Sequence, residues 1–120
     1  MNQSHLIWLS KPHMIWLSEQ KLTGEQIRVL FKLLSKIDVE NRVTTKIKDI
    51  AAEMGINPQQ VSRSLRALRE KDIIYKDPNN DKIYKLNPHI GNRGVEYYND
   101  IVAEFERVKQ TRARKKRSPN

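Results

Sequence analysis

The stretch Lys46–Tyr75, KIKDIAAEMGINPQQVSRSLRALREKDIIY, decides the fold of this 120-residue chain. Its first part predicts a helix over residues 46–54, because apolar residues recur there at helical spacing. Gly55 supplies the left-handed conformation in which many helices end. Asn57 then suits the cap of a second helix over residues 58–71, whose proline fits the first helical turn. The stretch therefore predicts two helices joined by a sharp turn.

The apolar residues of both helices lie on one face of each and predict a common core. On the first helix they are Ile47, Ile50, Ala51 and Met54, and on the second they are Val61, Leu65 and Leu68. Upstream, Thr23 and Gln26 form the ends of a capping box that predicts another helix start. The apolar stripe expected to be buried on that upstream helix comprises Ile27, Leu30, Phe31, Leu34 and Ile37.

Downstream of the second helix, two strand-like runs cover residues 73–76 and 82–86. Residues 77–81 between them are rich in turn formers, which predicts a β-hairpin. The segment 42–44 also suits a short strand. Helix, turn, helix and hairpin in this order predict a winged helix-turn-helix domain over residues 22–94.

The two flanks predict further elements around this domain. The hexapeptide HLIWLS at residues 5–10 recurs as HMIWLS at 13–18, and the Ser10-Lys11-Pro12 junction resembles a turn. We therefore expect an N-terminal β-hairpin arm over residues 1–21. Apolar spacing predicts an amphipathic helix over 95–110, followed by a basic disordered tail over 111–120. The expected fold class is α+β, mainly α.

The charge balance favours a polyanionic partner. Lys and Arg number 23 against 14 Asp and Glu, which gives a net charge of +9. Double-stranded DNA is the expected partner, although an anionic membrane surface or an acidic protein would also be attracted. The chain has no cysteine, no apolar run of the roughly 18 residues that a membrane span needs, and no signal-peptide pattern. We expect a cytoplasmic protein without cofactor or metal.

The outward face of the second predicted helix carries the residues expected to read bases. They are Gln59, Gln60, Ser62, Arg63 and Arg66. Glutamine can pair with an adenine edge, and arginine can pair with guanine O6 and N7. Because the N-terminal half of a recognition helix enters the major groove most deeply, Gln59, Gln60 and Arg63 are the best candidates.

Other cations and amides are expected to contact the DNA backbone. The predicted phosphate contacts are Lys46, Arg69, Lys71, Arg112, Arg114, Lys115, Lys116 and Arg117. The predicted wing contacts are Lys76, Asn79, Asn80, Lys82 and Lys85. Such contacts would add affinity that is independent of base sequence.

Two phrases in the sequence are similar to one family of winged-helix proteins. The runs 45–56 and 60–74 look like many bacterial winged-helix proteins. The phrase IYKLNPHIG at 83–91, together with Lys36-Ile37-Asp38-x-x-Asn41, resembles the RepL-like plasmid replication proteins over residues 22–94. The resemblance implies binding to origin DNA and a role in starting or controlling plasmid or phage replication. The alternative is a transcriptional regulator that binds a promoter operator.

An enzyme that nicks DNA is a less favoured interpretation. Adjacent Tyr97 and Tyr98 suggest a tyrosine nucleophile, but such nickases also need closely spaced metal-binding histidines. His5, His13 and His89 include no such closely spaced pair, and the chain has no phosphate-binding glycine loop. We therefore expect a DNA-binding protein without catalytic residues.

The apolar flanks exceed what a small helix-turn-helix core needs, which favours self-association. The candidate dimer or packing residues are Trp8, Trp16, Tyr98, Ile101 and Phe105. A homodimer would suit a DNA site made of paired half-sites. Proteins of the replication machinery are further candidate partners of the same surfaces.

Overall fold

The computed structural model describes residues 6–94 and 96–117, with side chains to residue 115. Within these residues the helices are α1 (Lys11–Ser18), α2 (Gly24–Leu34), α3 (Ile47–Met54), α4 (Pro58–Glu70) and α5 (Tyr98–Arg117). The strands are β1 (Trp8–Leu9), β2 (Ile74–Asp77), β3 (Asn80–Leu86) and β4 (Gly91–Asn92). The predicted α+β class, mainly α, is confirmed.

Helices α3 and α4 are joined by the sharp turn that the sequence predicts. Gly55 ends α3 with a φ of 69°, in the left-handed region that favours glycine. The side chain of Asn57 accepts a hydrogen bond from the Gln60 amide, and the Gln60 side chain accepts one from the Asn57 amide. This reciprocal capping box fixes the first residue of α4.

The core lies where α2, α3 and α4 meet the strands β2 and β3. Its fully buried side chains include the predicted residues Ile50, Val61, Leu65 and Leu68. The buried face of α2 differs from the prediction, since Ile27 is 41% and Phe31 63% exposed. Val29 and Leu33 are buried in their place beside Leu30. Both sets have helical spacing, so periodicity alone could not choose the face on which the other helices pack.

Strands β2 and β3 form the predicted wing. They pair antiparallel with Tyr75 opposite Lys85 and Lys76 opposite Tyr84. The other edge of β3 is bordered by residues 41–43, where the Val43 amide donates to the Tyr84 carbonyl at 2.8 Å. This third segment ties the wing to the end of α2.

The N-terminal arm is not the predicted hairpin. Ser10 caps α1 by accepting a hydrogen bond from the His13 amide, and the following proline lies in the first turn of that helix. Ser-x-Pro is therefore a helix start here, since proline fits the first turn without losing a hydrogen bond. Strand β1 instead pairs with β4, with Trp8 opposite Asn92 and Leu9 opposite Gly91.

The C-terminal helix starts later and extends further than the sequence predicted. Helix α5 begins at Tyr98 and continues through the predicted disordered tail to Arg117, while residues 118–120 lie outside the described residues. Ile101 and Phe105 are buried, and the Phe105 ring contacts the ring of Tyr75 at 5.3 Å between centroids. This packing stabilises α5 through tertiary contacts. The low apolar content of residues 111–120 did not indicate a helix in the sequence.

Candidate nucleic-acid interface

The exposed face of α4 gathers most of the residues predicted to read bases. Pro58, Gln59, Ser62, Arg63 and Arg66 line one shallow depression of about 380 Å³. All five are exposed, whereas Val61, Leu65 and Leu68 on the opposite face are buried. The helix therefore presents amide, hydroxyl and guanidinium groups outward from a rigid packed base.

Gln60 has a different environment from these residues. Its carbonyl oxygen accepts from the Asn57 amide at 3.0 Å, and its amide group lies 3.3 Å from a Glu25 carboxylate oxygen, to which it donates. The Ser64 hydroxyl donates to the other oxygen of Glu25 at 3.3 Å. Gln60 thus positions α4 against α2 and is not free on the exposed face. The sequence reasoning missed Glu25 in this role, although its place in the first turn of α2 was visible.

A cationic groove lies between the wing and the start of α3. Its volume is about 860 Å³, and its lining includes the predicted residues Lys46, Lys76 and Lys82. Arg42 lines the same groove and was missed by the sequence reasoning. A 2.9 Å hydrogen bond from Arg42 Nε to Asp38, together with the carboxylate charge, raises the pKa of Arg42 above its usual value. The Asp-x-x-x-Arg spacing in the sequence could have indicated the Asp38–Arg42 ion pair.

The tip of the wing is a tight turn of exposed polar residues. The Asn79 amide donates to the Asp77 carboxylate at 2.7 Å, and the Lys82 amide donates to the Asn80 side chain at 3.0 Å. These bonds organise the backbone and leave Asn79, Asn80 and Lys82 at the surface, as predicted.

Lys85 does not belong to the wing surface, contrary to the prediction. Its side chain is only 4% exposed, and its Nζ lies 2.7 Å from Glu104 Oε1 on α5. The Tyr75 hydroxyl donates to the same oxygen at 2.8 Å. Burial and this hydrogen bond raise the pKa of Tyr75, so the phenol remains a donor. Alternation along β3 places Lys85 on the face opposite the core residue Leu86, and α5 covers that face, so Lys85 joins the wing to α5.

The predicted basic tail is divided by the structure into different environments. Arg112 is held internally: it forms a 2.8 Å ion pair with Asp72 and donates to the Arg69 carbonyl at 2.7 Å. It is therefore an anchor of α5 on the end of α4, and not a free phosphate clamp. Arg114 and Lys115 are exposed on α5. The side chains of Lys116 and Arg117 lie outside the described residues.

The remaining predicted backbone contacts lie at the end of α4. Arg69 is half-buried in its last turn, and Lys71 is half-buried at its C-cap. Asp72 follows with a φ of 60°, which turns the chain into the wing. Both cations are thus near the surface where α4 and the wing meet.

Of the five candidate dimer or packing residues, three are packed within the chain. Trp16 contacts the core, while Ile101 and Phe105 are buried. Tyr98 is half-buried, and Trp8 is 63% exposed. Trp8 is therefore the most accessible of the five.

The histidines are closer in space than in sequence. The rings of His13 and His89 stack with centroids 5.6 Å apart, and His89 Nε2 lies 2.9 Å from Glu106. His5 lies outside the described residues. Within the described part of the chain, no group of three or more potential ligands could hold a metal ion. The histidine pair instead connects α1 with α5.

Among the described residues, no helix has the length and hydropathy to cross a membrane.

Helix α3, the turn at Gly55, helix α4 and the β2–β3 wing together define a winged helix-turn-helix protein. The sequence matches the Firmicute plasmid replication protein (RepL) family over residues 7–120. Because the match covers nearly the whole chain, the protein belongs to that family.

No match was found among curated proteins. Two solved structures are similar. One is RV1404 from Mycobacterium tuberculosis, with a TM-score of 0.46, 18% identity, and coverage of 89% of this chain and 68% of that chain. The other is the adhesin competence repressor AdcR from Streptococcus pyogenes, with a TM-score of 0.39, 19% identity, and coverage of 85% and 68%.

Proposed function

We propose that this protein binds double-stranded DNA with α4 in the major groove and acts in starting or controlling plasmid replication. The observation that carries the proposal is the exposed face of α4, on which Gln59, Ser62, Arg63 and Arg66 lie together. An α-helix fits the major groove, and amide and guanidinium groups match the base edges there.

The wing supports this docking. Lys46 and Lys76 lie on either side of the groove between α3 and the wing, with Lys82 close by. With α4 in the major groove, these amines would neutralise phosphates on the adjoining backbone and make affinity depend steeply on salt. Asn79 and Asn80 at the wing tip would lie near the minor groove.

Membership of the replication protein family supports the biological role. We infer that the DNA site lies in a plasmid origin and that the chain has no catalytic step of its own. Footprinting across a plasmid origin and its neighbouring promoters would test this location. Protection confined to the origin is expected, whereas protection confined to a promoter operator would make the chain a transcriptional regulator.

The docking of α4 is tested by Arg63→Ala. Removal of a bidentate interaction with guanine should weaken binding to the preferred site by about 1–3 kcal/mol and relax base preference at one position. Competition binding with base-substituted duplexes measures both effects. Arg28→Ala on α2 removes the same charge from an exposed position outside the predicted DNA contacts and is the matched control. Site preference that survives Arg63→Ala intact would contradict this docking.

A further inference from the structure

A second groove lies on the other side of the wing, between β2 and α5. Its volume is about 620 Å³, and it extends from Arg69 near the end of α4 to Pro78 in the wing turn. Helix α5 contributes one continuous face to it. That face consists of Glu104, Arg107, Val108, Thr111, Arg112 and Lys115.

Two of the charged groups on that face are neutralised within the protein. Glu104 accepts from both Lys85 and Tyr75, and Arg112 pairs with Asp72. These contacts fix α5 beside the wing, since each joins α5 to β2, β3 or the end of α4. The position of the groove is thus fixed by contacts within the fold.

Four other cations face the groove and have no ion-pair partner within the described part of the chain. They are Arg69, Lys76, Arg107 and Lys115. Besides Glu104, which is paired with Lys85, the carboxylate that lines the groove is Asp77, which accepts a hydrogen bond from the Asn79 amide. The lining is therefore strongly cationic, and its apolar component is supplied by Val108 and Pro78.

The position of Lys76 relates this groove to the proposed DNA interface. Lys76 lines both this groove and the one between the wing and α3, so cationic grooves border the wing on both sides. Arg107 and Lys115 are separated by about 12 Å along α5, at 1.5 Å per residue. Phosphates follow one another along a strand at roughly 3.4 Å of helix axis, so these two cations can meet different phosphates.

We propose that this groove holds the phosphodiester backbone of the bound duplex and that α5 is a third DNA-contacting element. The inference rests on the proposed binding of duplex DNA by α4. It assigns α5 a role in affinity and not in base reading, because Arg107 and Lys115 line the α5 groove and not the α4 face that is proposed to read bases. Arg112 has a separate task, since it holds α5 in place.

The test compares two double variants of the full chain that remove the same number of charges. Arg107→Gln with Lys115→Gln removes the groove cations. Arg28→Gln with Lys109→Gln removes one exposed cation of α2 and one of α5, neither of which lines the groove or is a predicted DNA contact. Fluorescence anisotropy with a mixed-sequence duplex, over a series of salt concentrations, gives the affinity and its salt dependence. All four side chains are exposed, so circular dichroism should show unchanged folding.

The groove variant should lower the slope of log affinity against log salt by about 0.9 for each phosphate that the protein no longer neutralises. Its affinity should fall alike for all duplex sequences, while the control variant changes little. Equal slopes for the two double variants would overturn the inference, because the charges would then act only at long range. The inference would also be overturned if the groove variant bound duplex DNA like the parent but bound an RNA duplex or an acidic peptide more weakly.

The two proposals can fail separately. If the parent chain binds no duplex at any salt concentration, the proposed function fails and the role of α5 fails with it. If Arg63→Ala relaxes site preference while the groove variant matches the parent, only the role of α5 is wrong.

Discussion

At the scale of single residues, the structure separates two lysines that the sequence places together. Lys82 and Lys85 both lie on β3, but Lys82 is exposed and Lys85 is buried against Glu104. Replacing Lys85 by Met leaves Glu104 without its cation. Stability should fall by roughly 3 kcal/mol, the lower end of the range for breaking a buried pair, because Glu104 keeps some exposure to water. Urea unfolding measures the decrease.

Lys82→Met is the matched control on the same strand. It should leave the unfolding midpoint unchanged and weaken DNA binding, because an exposed cation of the wing is removed. The folded fraction of Lys85→Met should keep the base preference of the parent, because Lys85 is buried against Glu104 and does not face DNA. A Lys85→Met chain with normal stability and reduced affinity would show that Lys85 faces DNA.

At the scale of elements, Gly91 in β4 determines how the N-terminal segment is held. A Cβ atom at this position would lie 2.8 Å from Leu9 Cδ2 and 2.9 Å from the Trp8 carbonyl oxygen. The second of these atoms belongs to the backbone, so β1 has to move if a side chain is added. Gly91→Ala should destabilise the protein by about 1–3 kcal/mol, as overpacking does, and separate β1 from β4.

Amide hydrogen exchange at Ser10 reports this separation, because its amide donates to the Ile90 carbonyl at 2.9 Å. In Gly91→Ala, exchange should accelerate more at the Ser10 amide than at the amides of the core helix α4. Gly94→Ala is the control, since its Cβ would meet no atom within 4 Å. Unchanged protection at Ser10 in Gly91→Ala would mean that β1 is not held by this close approach.

The N-terminal hexapeptides show which elements sequence patterns could predict. HLIWLS and HMIWLS are nearly identical, yet the first contains β1 and the second lies within α1. Strand β1 forms because it pairs with β4, which is remote in sequence. A local sequence pattern carries no information about that partner. By contrast, α4 was predicted closely, because its cap, first-turn proline and apolar stripe are all local signals.

The same distinction applies to the candidate site. Arg63 and Arg66 could be placed on the exposed face of α4 from helical spacing alone. Lys85 and Arg112 could not be placed, because their partners Glu104 and Asp72 come from other elements. Composition shows how many cations the chain has, but only tertiary pairing shows which of them remain available to a phosphate.

At the scale of the whole molecule, half of the exposed large apolar side chains among the described residues lie in the N-terminal segment. Leu6, Trp8, Leu9 and Ile15 are all at least 42% exposed. Ile101 and Phe105 are buried within their own chain, so the last helix contributes less free apolar surface than its sequence suggests. Exposed apolar side chains in such a group are typical of a protein contact surface.

We expect the chain to form a homodimer through this N-terminal surface, which would present two copies of α4 to paired half-sites. Light scattering at micromolar concentration should give twice the mass of the chain, and Trp8→Ala should shift the mass towards the monomer by removing a large apolar side chain from the interface. Phe31→Ala is the control, since Phe31 on α2 is equally exposed at 63%. A monomeric parent would contradict the dimer, and a shift caused only by Phe31→Ala would place its interface on α2.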